Sequence, residues 1–158
     1  MRKYFFIIFL GSLFLACDSN RVFEQNTRLS EKGWSWLEKP QFQVEIFDTI
    51  SEMNVLVNIR HSSHYPFSNV WIFVNTIAPD GARSIDTIEC VLAQKDGAWK
   101  GSGLGDIWDF QKHLKTTIFQ QEGDYIFELE QAMRYGDQAQ INILPEIVDV
   151  GIRIERTE

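Results

Sequence analysis

Apolar residues occupy every second position over much of the chain. Phe42, Val44 and Ile46 alternate with Gln41, Gln43 and Glu45, the pattern of a strand with one face buried and the other in water. The same period of two runs through MNVLVNIR on Val55, Val57 and Ile59, and through NVWIFVNTI on Val70, Ile72 and Val74. It returns in SIDTIECVL (84–92) and closes the chain in DVGIRIER (149–156), where Ile152 and Ile154 alternate with Arg153 and Glu155. TTIFQQ (116–121) and DYIFELEQAM (124–133) read as further strands, giving about seven or eight in all.

Turn chemistry separates these runs. Pro79-Asp80-Gly81, Asp96-Gly97 and Glu122-Gly123 supply the residues that turns require. Long helical patterns, which parallel strands need for their crossovers, are missing, so the pattern predicts an all-β fold: a single antiparallel, jelly-roll-like β-sandwich. A closed barrel is the alternative. DIWDFQKHL (106–114) is expected to form a helical turn or a long connection, and residues 135–146 an irregular link.

The first forty residues break the pattern. Met1-Arg2-Lys3 is basic and residues 4–16 carry no charge, which matches the opening of a secretory signal. The run is too short for a membrane-spanning helix, which needs about 20 apolar residues. Leu13-Phe14-Leu15-Ala16-Cys17 places a small residue directly before a cysteine and resembles a lipobox, although Phe14 stands where Leu is usual. Residues 1–16 are therefore expected to be a lipoprotein signal peptide that is removed. Cys17 becomes the lipid-bearing N-terminus, residues 17–40 the lipidated start and tether, and 41–158 the sandwich. Trp34 and Trp36 suggest that order begins near residue 33.

Composition narrows the function. The chain has 15 Lys and Arg against 22 Asp and Glu, and losing Arg2 and Lys3 with the signal leaves the mature part more acidic still. No basic stripe favours nucleic acid or anionic headgroups. Of two cysteines, lipidation consumes Cys17, so Cys90 has no partner within the chain and is read as a small buried hydrophobe.

Candidate chemistry is sparse. His61 and His64 fall short of the three or four ligands a zinc site declares. GSGLGDIWD (101–109) lacks the ending of a phosphate loop and the spaced oxygens of a calcium loop, and fits a strand end where glycine allows close approach. The carboxylate pairs Asp106 with Asp109 and Glu128 with Glu130 are also considered. The second lies on the solvated face of a strand. No nucleophile elbow is present. Trp71 and Trp99 fall in strand-like runs and are expected in the core, although exposed aromatics would make a platform for sugar rings.

Several strings taken together, CDSNRVFEQN, IRHSSHYPFSNVWIFV, DGAWKGSGLGDIWD, YIFELEQAMR and DVGIRIER, resemble the GldH family of gliding-motility lipoproteins from Bacteroidetes. The likeness spans essentially the whole mature chain. It implies a membrane-anchored cell-envelope lipoprotein, non-catalytic and without cofactor or metal. Such a protein is required for gliding and works beside other gliding and type IX secretion proteins, with the outer membrane favoured over the inner. An adhesin-like or carbohydrate-binding module is the alternative.

The matching positions are Cys17 for lipid attachment and Arg60, Tyr65, Pro66, Asn69, Trp71, Trp99, Gly101, Gly103, Asp106, Gln131, Met133, Arg134, Gly151 and Arg153. Pro66 and the glycines are expected to fix turns and the tryptophans to fill the core. Arg60, Arg134 or Arg153 would pair with buried carboxylates.

Overall fold

Eight long strands and one short one build two facing antiparallel sheets, and two more short strands pair apart from them, in a computed structural model that describes residues 18–157. The signal peptide and Cys17 lie outside the described residues. In chain order the strands are β1 (Arg21–Arg28), β2 (Trp34–Ser35), β3 (Gln41–Ile46), β4 (Met53–Ser62), β5 (Asn69–Ile77), β6 (Arg83–Val91), β7 (Ser102–Leu104), β8 (Ile107–Thr117), β9 (Gly123–Gln131), β10 (Ile143–Leu144) and β11 (Ile147–Arg156). One sheet has the order β1-β11-β4-β8-β7, the other β3-β9-β5-β6, and β10 pairs with β2 in a small third sheet. The long strands pass repeatedly from one sheet to the other, and both sheets keep free edges. This is a jelly-roll sandwich and not a closed barrel.

The alternating positions make the core. Phe42, Val44 and Ile46 of β3, Val55, Val57 and Ile59 of β4, Val70, Ile72 and Val74 of β5, and Val150, Ile152 and Ile154 of β11 are all buried. Tyr125, Phe127 and Leu129 of β9 join them. Each such large side chain contributes about 1.5–3 kcal/mol when fully buried. Cys90 is free and buried, and burial pushes its thiol up to about 12. Glu128 and Glu130 face outward as expected, the first accepting from Gln41 Nε2 at 2.8 Å and the second bound to Lys39 at 2.7 Å.

Three expectations change. All of DIWDFQKHL after Asp106 belongs to β8, an 11-residue strand. Its inward row contains Lys112 and Lys115, opposite Val57 and Val55 of β4, and Leu114 is an extra residue that shifts the register between them. A bulge combined with lysines on the inner face erases the period of two. Lys115 still finds a partner, since its Nζ reaches Asp86 of β6 at 2.6 Å. Conversely, TTIFQQ is strand only as far as Thr117. Phe119 then turns into the core and packs edge-on against Tyr125, ring centroids 4.8 Å apart.

The third change concerns the segment read as a tether. Residues 21–28 form β1 and pair with β11 from Arg21↔Glu155 to Arg28↔Asp149. β1 is an edge strand held by main-chain pairing, and its side chains are mostly exposed, so alternation could not reveal it. Trp34 is fully buried and donates from Nε1 to Glu38 O at 2.9 Å.

Candidate functional site

The outward face of the five-stranded sheet is polar, and its side chains form rows across the strands. One row runs Arg28, Asp149, Arg60, Asp109, Ser102; the next runs Asn26, Gly151, Asn58, Gln111; a third begins Glu24, Arg153, Leu56, His113. Side chains directly opposite on neighbouring strands lie close enough to pair. Arg60 donates from Nε to Asp109 Oδ1 at 2.6 Å and from Nη1 to Asp149 Oδ2 at 3.0 Å. The bond to Asp109 holds the guanidinium still more firmly protonated, against the smaller opposing effect of burial.

Asn58 joins the middle row. Its Nδ2 donates to Glu24 Oε1 at 2.9 Å and Asn26 Oδ1 at 3.1 Å, and its Oδ1 accepts from Gln111 Nε2 at 2.8 Å. Arg153 closes the third row against Glu24 (3.0 Å), Glu155 (2.8 Å) and Asp18. Burial works against the charge of Arg153, but its three carboxylate partners outweigh that and keep it protonated.

Glycines shape this face into a groove of about 580 Å³, lined by Asn58, Arg60, Gly101, Asp109, Gln111 and Asp149 among others. A side chain at Gly151 would place its Cβ 1.9 Å from Asn26 Oδ1 and 2.4 Å from Gln25 O. Gly101 adopts φ +90°, and a Cβ there would lie 2.1 Å from Asp109 O, so it needs both the left-handed backbone and the close approach. Gly103 lies under the Trp108 ring, which a Cβ would meet at 2.8 Å. Gly101 and Gly103 therefore let β7 fold back on β8. Asp106, in the turn between those strands, accepts Ser63 N–H at its main-chain oxygen at 2.7 Å and ties the turn to the β4–β5 loop.

The remaining motif positions gather near the other sheet. Tyr65 is buried and donates from its hydroxyl to Asn69 O at 2.9 Å, while Asn69 Nδ2 reaches Glu89 Oε1 at 2.6 Å. Gln131 is buried, its Nε2 donating to Ile141 O (2.5 Å) and its Oε1 accepting Met133 N–H (3.0 Å). Met133 Sδ in turn accepts Trp71 N–H at 3.3 Å. Pro66 is exposed in the β4–β5 loop.

Trp71 corrects the expectation that it fills the core: it points outward on β5 and is 40% exposed. With Phe67, Phe73, Met133, Arg134 and Tyr135 it lines a second groove of about 440 Å³. Arg134 is exposed there, and among the described residues it makes no ion pair.

Trp99 is partly buried against the core and packs edge-on against the His61 ring at 4.6 Å. His61 is fully buried, its Nδ1 lies 2.9 Å from Ser62 O, and its Nε2 has no protein partner. Burial holds its pKa below the ordinary value. His64 is exposed, so the two histidines do not share a surface. No cluster of three metal-ligating side chains occurs among the described residues. Asp109 and Asp149 are both bound by one arginine, so neither stands free as an acid or base.

Of the residues that line the groove, sequence reasoning named Arg60, Gly101 and Asp109 but not Glu24, Asn26, Asn58, Gln111 or Asp149; Gly151 and Arg153 stand in the adjoining rows. The outward half of each strand's alternation was the signal available, and Asn58 and Arg60 show it in MNVLVNIR.

Taken together these features define a β-sandwich that presents a densely paired polar groove and an aromatic one. The family model for the GldH lipoprotein matches residues 21–154, and the chain belongs to that family, whose members are lipoproteins held at a membrane of the cell envelope. It is 31% identical over 98% of its length to a gliding motility lipoprotein GldH homolog of Christiangramia forsetii, covering 95% of that protein. It is also 30% identical to the gliding motility lipoprotein GldH of Flavobacterium johnsoniae, with 96% of each chain covered. Among solved structures, the T13 particle of the virus IBDV aligns with TM-score 0.34 and 14% identity over 87% of this chain and 34% of the viral one. The D431N mutant VP2 protein of infectious bursal disease virus aligns with TM-score 0.33 and 13% identity over 87% and 39%.

Proposed function

We propose that this protein is a non-catalytic component required for gliding, anchored through Cys17, that docks a protein of the gliding machinery on the polar groove of its five-stranded sheet. The observation that carries this reading is the convergence of Arg60, Gly151 and Arg153, spread over more than ninety positions of the sequence, on one outward face, with Gly101 lining the same groove. A face fixed by cross-strand pairs and glycine contacts is preorganised, which reduces the ordering cost of binding a partner. Its paired charges favour a partner with complementary polar groups, which gives specificity more than raw affinity.

The test places a photo-crosslinking residue at Gln111 in the groove, or at Phe73 in the aromatic groove, in gliding cells. Crosslinks to an envelope protein from position 111 and not from 73 are expected. Crosslinks from neither position, with gliding intact in Arg60→Ala cells, would remove the docking reading.

A saccharide-binding role is the second reading, favoured by the outward Trp71 beside Phe73 and Tyr135, since flat aromatic faces stack on sugar rings. Loss of glycan binding in Trp71→Ala, with partner crosslinking unchanged, would move the function to that groove. Attachment at Cys17 is tested by Cys17→Ala and a fatty-acid analogue: label and membrane retention should both disappear. The compartment, with the outer membrane favoured, is read by protease accessibility of intact cells.

A further inference from the structure

The sandwich has two ends, and the chain enters at one of them. At that end Arg156 N–H donates to Asn20 O at 2.8 Å, Thr157 N–H donates to Glu52 O at 3.1 Å, and the Arg156 guanidinium faces Asp48 at 3.7 Å. The chain start and the β3–β4 loop (residues 47–52) are thus both pinned to the end of β11. Only Asp18, Ser19 and Asn20 separate Cys17 from β1, so Cys17 cannot lie more than about 14 Å from Arg21 even if the connection is fully extended.

The β3–β4 loop presents two bare apolar side chains, Phe47 at 70% and Ile50 at 86% exposure. The loop is rigid at its tip, because the Asp48 carboxylate accepts the N–H groups of Ser51 (2.9 Å) and Ile50 (3.0 Å). Those bonds hold the carboxyl at about 2, so the turn persists throughout the physiological range. Ile118, 38% exposed, lies at the same end, just past β8 where Thr117 pairs with Met53.

We propose that this end docks on the bilayer that holds the lipid anchor, with Phe47 and Ile50 inserted among the headgroups and the sandwich standing upright on the membrane. The proposal rests on lipidation at Cys17, which brings the loop to the lipid surface and supplies the occupant. Apolar side chains at such an interface bury about 5–10 Å into the boundary between headgroups and acyl chains. The segments 18–20, 47–52 and 118–122 contain no Lys or Arg and do contain Asp18, Asp48, Glu52 and Glu122. Arg21 and Arg156, beside Glu24 and Asp48, and Arg83 border the same end, so the contact is made by the apolar side chains. Docking fixes the orientation of the molecule: β4, about 30 Å long at its strand rise, lifts the opposite end, with Leu104 and the β4–β5 loop, away from the membrane.

The test uses the mature, acylated protein in vesicles of phosphatidylethanolamine and phosphatidylcholine. Cys90 is buried and its thiol is pushed up to about 12, so Ile50→Cys, Phe47→Cys and, at the far end, Leu104→Cys each offer one reactive site for an environment-sensitive fluorophore. Flotation with the vesicles reports the anchor separately. Docking predicts that labels at 47 and 50 shift to the blue and are quenched several-fold more by lipid-borne spin labels than the label at 104. Equal, weak quenching at all three sites in protein that floats would overturn the docking while leaving the anchor in place. Protein that does not float would overturn both.

Discussion

The two outward faces carry family positions in different ways. On the five-stranded sheet, Arg60, Asn58 and Arg153 are held by side chains on neighbouring strands, so the face is a lattice of paired charges and amides. On the four-stranded sheet, Trp71 is held through its main chain by Met133 Sδ and Ala132 N–H, which leaves the ring free at the surface. The first face is fixed by mutual recognition within the protein. The second is fixed from beneath, with its side chains available to something outside.

Gly151→Val should break the comparison most severely. Its side chain collides with Asn26 and the Gln25 carbonyl, forcing β1 from β11 at a cost of roughly 3–5 kcal/mol, in the range of the largest single-site effects. Denaturant unfolding measures it, and a loss under 1 kcal/mol would show that β1 is not needed for the sandwich. Next in size is Gln131→Leu beneath the aromatic groove, which abandons the Ile141 carbonyl and Met133 N–H and costs about 2–3 kcal/mol. Its Trp71 fluorescence should change as Met133 loosens.

Arg60→Ala leaves Asp149 nearly buried and unpaired, but the arginine is itself 45% exposed. We expect only about 1 kcal/mol of destabilisation, because solvent screens the pair, together with a clear loss of gliding. Lysine should not restore it, since only a guanidinium reaches both carboxylates with fixed geometry. Trp71→Ser should change stability by about 1 kcal/mol or less and leave the polar groove intact. A larger effect would mean that the aromatic face is structural.

The smallest effect is a pH response at His61, which is fully buried beside Trp99. Its folded pKa lies below 6.5 because burial disfavours the charged ring. The folded protein therefore binds fewer protons than the unfolded chain, and the stability this supplies is complete above pH 6.5 and lost as pH falls through the lower folded value. Thermal melts from pH 7.5 downward should show Tm falling in the native protein and falling less in His61→Phe.

Period-two alternation alone determined β3, β4, β5, β9 and β11, because burying one face of a strand demands it. The absence of helical patterns then left only antiparallel sheets. Local pattern failed where a strand does not bury a regular face: at β1, an edge held by its main chain, and at β8, bulged at Leu114 with lysines turned inward. It could not say which polar positions meet, since the Arg60 pairs span 49 and 89 residues of sequence and depend on the order β11-β4-β8. Trp71 was misplaced for the same reason, as its facing depends on what packs across β5. The chemistry of each strand is written in its own residues, whereas the grooves exist only through the register between strands far apart in the chain.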